Sequence, residues 1–95
     1  MAFADVRGAT GELRAGGRRV AGLCNWIAIR DVTSDTWTIG GGLVEANPIW
    51  LSQAATFDVV LDVGKAPWRW RRVPSADVSV TDQSVSIVAH GRFER

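Results

Sequence analysis

The sequence predicts an all-β domain: a small antiparallel β-sandwich or partly closed barrel of about seven strands with one long central loop. Three observations lead there. Apolar and polar residues alternate at period two, most clearly from Thr56 to Val63. Glycine and proline punctuate these runs at short intervals. Helical periodicity is almost absent; the stretch from Leu43 to Ala55 resists a strand reading, but Pro48 limits it to a short turn of helix.

Taken in order, Gly11 to Ala15 and Arg18 to Arg30 read as two strands joined at Ala15-Gly16-Gly17, since a Gly-Gly pair supplies the positive φ angles of a tight hairpin. In the second strand Leu23, Ile27 and Ile29 share one face with Asn25, and Cys24, Trp26 and Ala28 share the other; Gly22 marks a candidate bulge. Thr36 to Ile39 is a short strand, after which Gly40-Gly41-Gly42 breaks the chain and begins a loop. In Thr56 to Val63, the residues Phe57, Val59, Leu61 and Val63 point to the core, with Asp58, Val60 and Asp62 opposite. Gly64-Lys65-Ala66-Pro67 turns the chain into Trp68 to Val73, where Trp68, Trp70 and Arg72 share a face and Arg69, Arg71 and Val73 share the other. Asp58 and Asp62 then lie across from arginines and help set the register. Ala76 to Val80 and Ser84 to Arg92 form a last hairpin around Thr81-Asp82-Gln83.

All 95 residues fit a single domain, which buries only about two-thirds of the surface of its unfolded chain. Assembly would therefore strengthen it. A net charge of +1 gives no overall pull toward nucleic acid or an anionic membrane. The single cysteine, Cys24, rules out an internal disulfide framework. No apolar run approaches the roughly 20 residues of a membrane span, and the N-terminal stretch carries charges and glycines where a secretory signal needs an apolar run. The expectation is a soluble protein made in the cytoplasm. Five tryptophans with no tyrosine are more than a small core readily hides, which places some at interfaces.

No catalytic set is legible, and the chain reads as a non-enzyme. Cys24 and the one histidine, His90, lack an orienting partner and the paired spacing of a zinc site, so no metal or cofactor is expected. Asp58 and Asp62 read as a solvated charge ladder rather than a glycosidase pair. Gly40-Gly41-Gly42 is followed by Leu43-Val44-Glu45, not by the Lys and Ser/Thr of a phosphate loop. The most distinctive segment is Pro67-Trp68-Arg69-Trp70-Arg71-Arg72. It admits three readings: core tryptophans with a salt ladder, a subunit interface, or a single-strand nucleic-acid binder in which Trp stacks bases and Arg grips phosphates. Surplus aromatic area makes Trp68, Arg69, Trp70, Arg71 and Arg72, with Gly40, Gly41 and Gly42, the candidate interface.

The segment Thr10-Gly11-Glu12-Leu13-Arg14-Ala15-Gly16-Gly17-Arg18-Arg19-Val20-Ala21-Gly22-Leu23 resembles the opening hairpin of tail-tube proteins of tailed bacteriophages. A Trp-containing strand, Cys24-Asn25-Trp26-Ile27-Ala28-Ile29, and an aspartate–threonine stretch, Ser34-Asp35-Thr36, follow in a similar order. The resemblance implies a ring-forming subunit of a virion, made in the host cytoplasm, contacting copies of itself and other virion proteins. An extended helix-bearing insertion is missing, so tube, connector and decoration roles all stay open. The competing expectation is a small β binding module that recognises nucleic acid or glycan through Trp68, Trp70 and the neighbouring arginines.

Overall fold

The computed structural model describes residues 3–94. Seven strands form one antiparallel sheet: β1 (Phe3–Ala15), β2 (Arg18–Asp31), β3 (Thr36–Val44), β4 (Thr56–Leu61), β5 (Trp68–Pro74), β6 (Val78–Val80) and β7 (Ser84–His90). Their spatial order is β5-β4-β1-β2-β3-β7-β6. The sheet curls into a half-barrel whose concave side holds the core, so the all-β fold predicted from the alternating runs is the one observed. A single helix, α1 (Pro48–Gln53), lies in the central connection. Asn47 caps it, accepting from the Trp50 N–H at 3.1 Å, and Pro48 occupies the first turn, where its missing N–H costs nothing.

The β1–β2 hairpin turns where expected. Gly16 and Gly17 have φ of 59° and 78°, the paired positive angles that match a two-residue turn to the twist of its strands. β4 also follows its alternation: Phe57, Val59 and Leu61 are buried in the core cluster and Val63 packs against it. Val60 is buried too, on the outer face, flanked by Glu12 of β1 and Arg69 of β5.

Three bulges shift the faces. In β2 the register slips between Cys24 and Ile27, and Asn25 adopts φ 48°. This extra residue, and not Gly22, carries the bulge near the strand's centre. It reverses the phase, so Leu23, Trp26 and Ala28 face the core while Ile29 is exposed. In β5 the slip falls opposite Asp58: Phe57 pairs with Val73 and Val59 with Trp70, leaving Arg71 and Arg72 together on one side of a single partner. Arg72 takes φ 55°, which corrects the expected faces: Val73 joins Trp70 inside and Arg72 turns out. The third slip, between Leu13 and Arg14, lets both Val20 and Ala21 be buried.

Gly40, Gly41 and Gly42 do not begin a loop. They lie inside β3, paired with β7 at Ser86, Val85 and Ser84. The reason is steric. A Cβ on Gly41 would stand 3.1 Å from the Cys24 carbonyl oxygen and from Trp26 Cα, and one on Gly42 would stand 2.7 Å from Cys24 Sγ. The glycines make room for the bulged part of β2, a close backbone approach that resembles a chain break in sequence.

Candidate functional site

The edge strands of the curled sheet are β5 and β6, and the part of β7 that β6 leaves uncovered meets β5 along a seam. β6 covers β7 only from Val85 to Ile87. Beyond Ile87 the edge of β7 and the residues after it face β5 directly. Among the described residues the ladder across this seam is one bridge, with the Arg69 N–H donating to the Glu94 carbonyl at 2.9 Å and the Glu94 N–H to the Arg69 carbonyl at 2.7 Å. A turn of 3-10 helix at Ser75–Asp77 ties β5 to β6 at the other end. Between these ties the edges splay apart. A cleft of about 270 Å³ opens there, lined by Arg69 to Pro74 on one side and by Val88, His90, Arg92 and Glu94 on the other.

The predicted interface residues divide on this seam. Trp70 is 3% exposed and Trp68 is half-buried. Both belong to an aromatic cluster with Trp37 and Phe93. Phe93 stacks on Trp68 at 4.0 Å between centroids, and Trp37 meets Trp68 and Trp70 edge-on or tilted at 5.4 and 5.9 Å. With Phe93 stacked on Trp68 and Trp70 sealed inside, the two rings pin the seam closed at one end. The arginines face outward. Arg71 Nε donates to Glu94 Oε2 at 2.7 Å. That hydrogen bond, then the Glu94 charge, raises the Arg71 pKa above its ordinary value, with a smaller push from Asp58. Asp58 accepts from the backbone N–H of Arg72 at 3.2 Å, holding the bulge. Asp62 instead accepts from the Thr10 hydroxyl at 2.7 Å, so only Asp58 of the predicted acidic pair reaches the arginine strand. Gly40, Gly41 and Gly42 lie in β3, paired with Ser84 to Ser86 of β7, and do not line the seam cleft.

Cys24 and His90 are not neighbours. Cys24 is level with Gly42 and His90 with Thr36. Six residues of strand separate the two levels, roughly 20 Å at 3.3 Å per residue. His90 Nε2 stands 3.7 Å from Asp77 Oδ2. Among the described residues no three His, Cys, Asp or Glu side chains cluster as a metal site would require. Among the described residues no helix is long and apolar enough to cross a membrane.

A second surface was less visible in sequence. At the α1 end Ile49 is 64% and Trp50 37% exposed, with the Arg18 guanidinium 5.0 Å over the Trp50 ring. Next to them an apolar groove of about 340 Å³ runs between α1 and β6, lined by Pro48, Leu51, Phe57, Val78 and Val80 among others. The consecutive Ile49-Trp50-Leu51 was the available signal, because a short helix cannot bury three successive apolar residues on one side. Phe93, Arg92 and Glu94 carried a weaker signal, an alternation resuming after Gly91.

Comparison with known proteins finds no family model, no curated protein and no solved structure that matches this chain.

Proposed function

We propose that this protein is a structural subunit that works by assembling with copies of itself, as a virion component of the tail-tube, connector or decoration kind would. The observation that carries this reading is the apolar α1 end: Ile49 and Trp50 stand in solvent beside a groove with apolar walls. Exposed apolar area of this kind marks a contact surface on a soluble chain. A second feature supports it. β4 pairs with β1 only from Gly11 to Arg14, so the outer edge of β1 from Asp5 to Ala9 has no neighbouring strand among the described residues. An open edge can pair with another chain.

Light scattering on the purified full chain tests the reading. Dimers, rings or larger species, growing with concentration and lost in the Ile49→Asp, Trp50→Ala variant, support it. A monomer that persists at high concentration and physiological salt overturns it. The competing reading, a module that stacks bases or sugars on Trp68 or Trp70, draws less support, because both rings are already engaged within the aromatic cluster.

A further inference from the structure

Trp70 is 3% exposed, yet its indole Nε1 is buried without any hydrogen-bond partner. Native proteins rarely leave a buried donor in that state, because it has lost water and gained nothing. Trp70 is also the one tryptophan among the residues lining the seam cleft.

The same cleft is strongly cationic. Four arginines, Arg69, Arg71, Arg72 and Arg92, line it against one carboxylate, Glu94, which Arg71 already holds. Among the described residues Arg69, Arg72 and Arg92 form no ion pair, in contrast to Arg14, Arg19 and Arg30 elsewhere on the sheet. The remaining acids nearby are engaged: Asp58 accepts from the Arg72 backbone N–H, and Asp77 faces His90. The bulge at Arg71 and Arg72 concentrates the charge by sending two successive side chains to the same side of β5. Bulges recur where a strand must aim side chains at a ligand.

We propose that this cleft is a phosphate site for a small phosphomonoester, with Trp70 Nε1–H donating to one phosphate oxygen and Arg72 and Arg92 closing over the others. Charge favours this ligand. Three guanidinium charges in excess are only partly met by one carboxylate, whereas a phosphomonoester brings about two negative charges and three acceptor oxygens. Volume limits the rest of the molecule. About 270 Å³ lies below the usual range for drug-sized ligands and suits a phosphate bearing a sugar-sized group. A phosphodiester backbone offers the same oxygens with one charge per phosphate, so the two sources separate experimentally.

The test follows the Trp70 indole N–H by NMR in the full chain. Inorganic phosphate, a pentose 5-phosphate and a single-stranded oligonucleotide are titrated separately at physiological salt. A saturable shift of that resonance with the pentose 5-phosphate is expected. Arg72→Gln and Arg92→Gln should each weaken that binding about tenfold, the loss of one charge-assisted contact. Both side chains are exposed, so these variants should keep the wild-type melting temperature. Trp70→Phe should bind less tightly while retaining the apolar packing. No saturable shift with any probe overturns the proposal, as does a shift that both arginine variants leave unchanged. A response to the oligonucleotide alone overturns the monoester assignment and transfers the site to nucleic acid. Because the assembly reading rests on the α1 end, neither result here decides it.

Discussion

At Arg72 a long side chain sits at φ 55°, a region that costs an L-residue roughly 1–2 kcal/mol relative to right-handed geometry. The Asp58 carboxylate bonded to its N–H helps hold it there. Arg72→Gly removes the Cβ penalty at the expense of unfolded-state entropy, so stability should stay level or rise by up to about 1 kcal/mol. Urea denaturation checks this; a clear loss would show that the side chain itself holds the bulge. The glycines of β3 give a sharper contrast. A Cβ on Gly40 meets nothing nearer than 3.9 Å, whereas one on Gly41 presses on backbone atoms of Cys24 and Trp26. Gly40→Ala should therefore be neutral or mildly stabilising, and Gly41→Ala should cost about 1–3 kcal/mol. Thermal melts of the two variants separate a strand from a flexible loop, in which both changes would be tolerated.

Among the elements, β4 and the β1–β2 turn were legible because their signals are local. Alternation at Phe57, Val59 and Leu61, and paired positive φ at Gly16-Gly17, need no knowledge of neighbours. The bulges were not legible, because a period-two pattern carries no mark of the residue at which the phase changes. That is why Trp26 lies in the core while Ile29, three alternations from Leu23 in a regular strand, lies in solvent. The candidate site suffered most. The Trp-Arg segment was recognised as distinctive, but its cleft depends on residues after Gly91 that pair with β5 across the whole sheet. Phe93 is the element-scale test of that closure. It stacks on Trp68 and contacts Trp37 and Trp70. Phe93→Ala should cost about 1–3 kcal/mol, less than full burial of an aromatic ring because the residue is half-buried. It should also weaken the near-ultraviolet circular dichroism of the tryptophan cluster; an unchanged spectrum would mean that the tail does not close the seam.

For the whole molecule the question is which surface a second copy covers. The seam is cationic, and two copies placed seam to seam would repel, since each carries arginines in excess of acids there. The α1 end has no such cost. Its groove is walled by apolar side chains, and Ile49 and Trp50 project beside it at 64% and 37% exposure. A two-fold contact would set the Ile49 and Trp50 of each copy against the groove of the other, which is the self-complementary geometry of a closed dimer. Covering their exposed area contributes about 1–2 kcal/mol per side chain, hence about 4–8 kcal/mol for the four side chains of a two-fold contact. Ile49→Asp with Trp50→Ala should thus weaken association about a thousandfold to a millionfold. The monomer should lose little, because both side chains are already exposed and Asn47 still caps α1. Sedimentation velocity across a concentration series measures the shift, and circular dichroism confirms the fold. Arg69→Glu with Arg71→Glu is the matching control. If that pair dissolves the assembly while the α1 variant leaves it intact, the subunits meet through β5, and the apolar end belongs to some other contact.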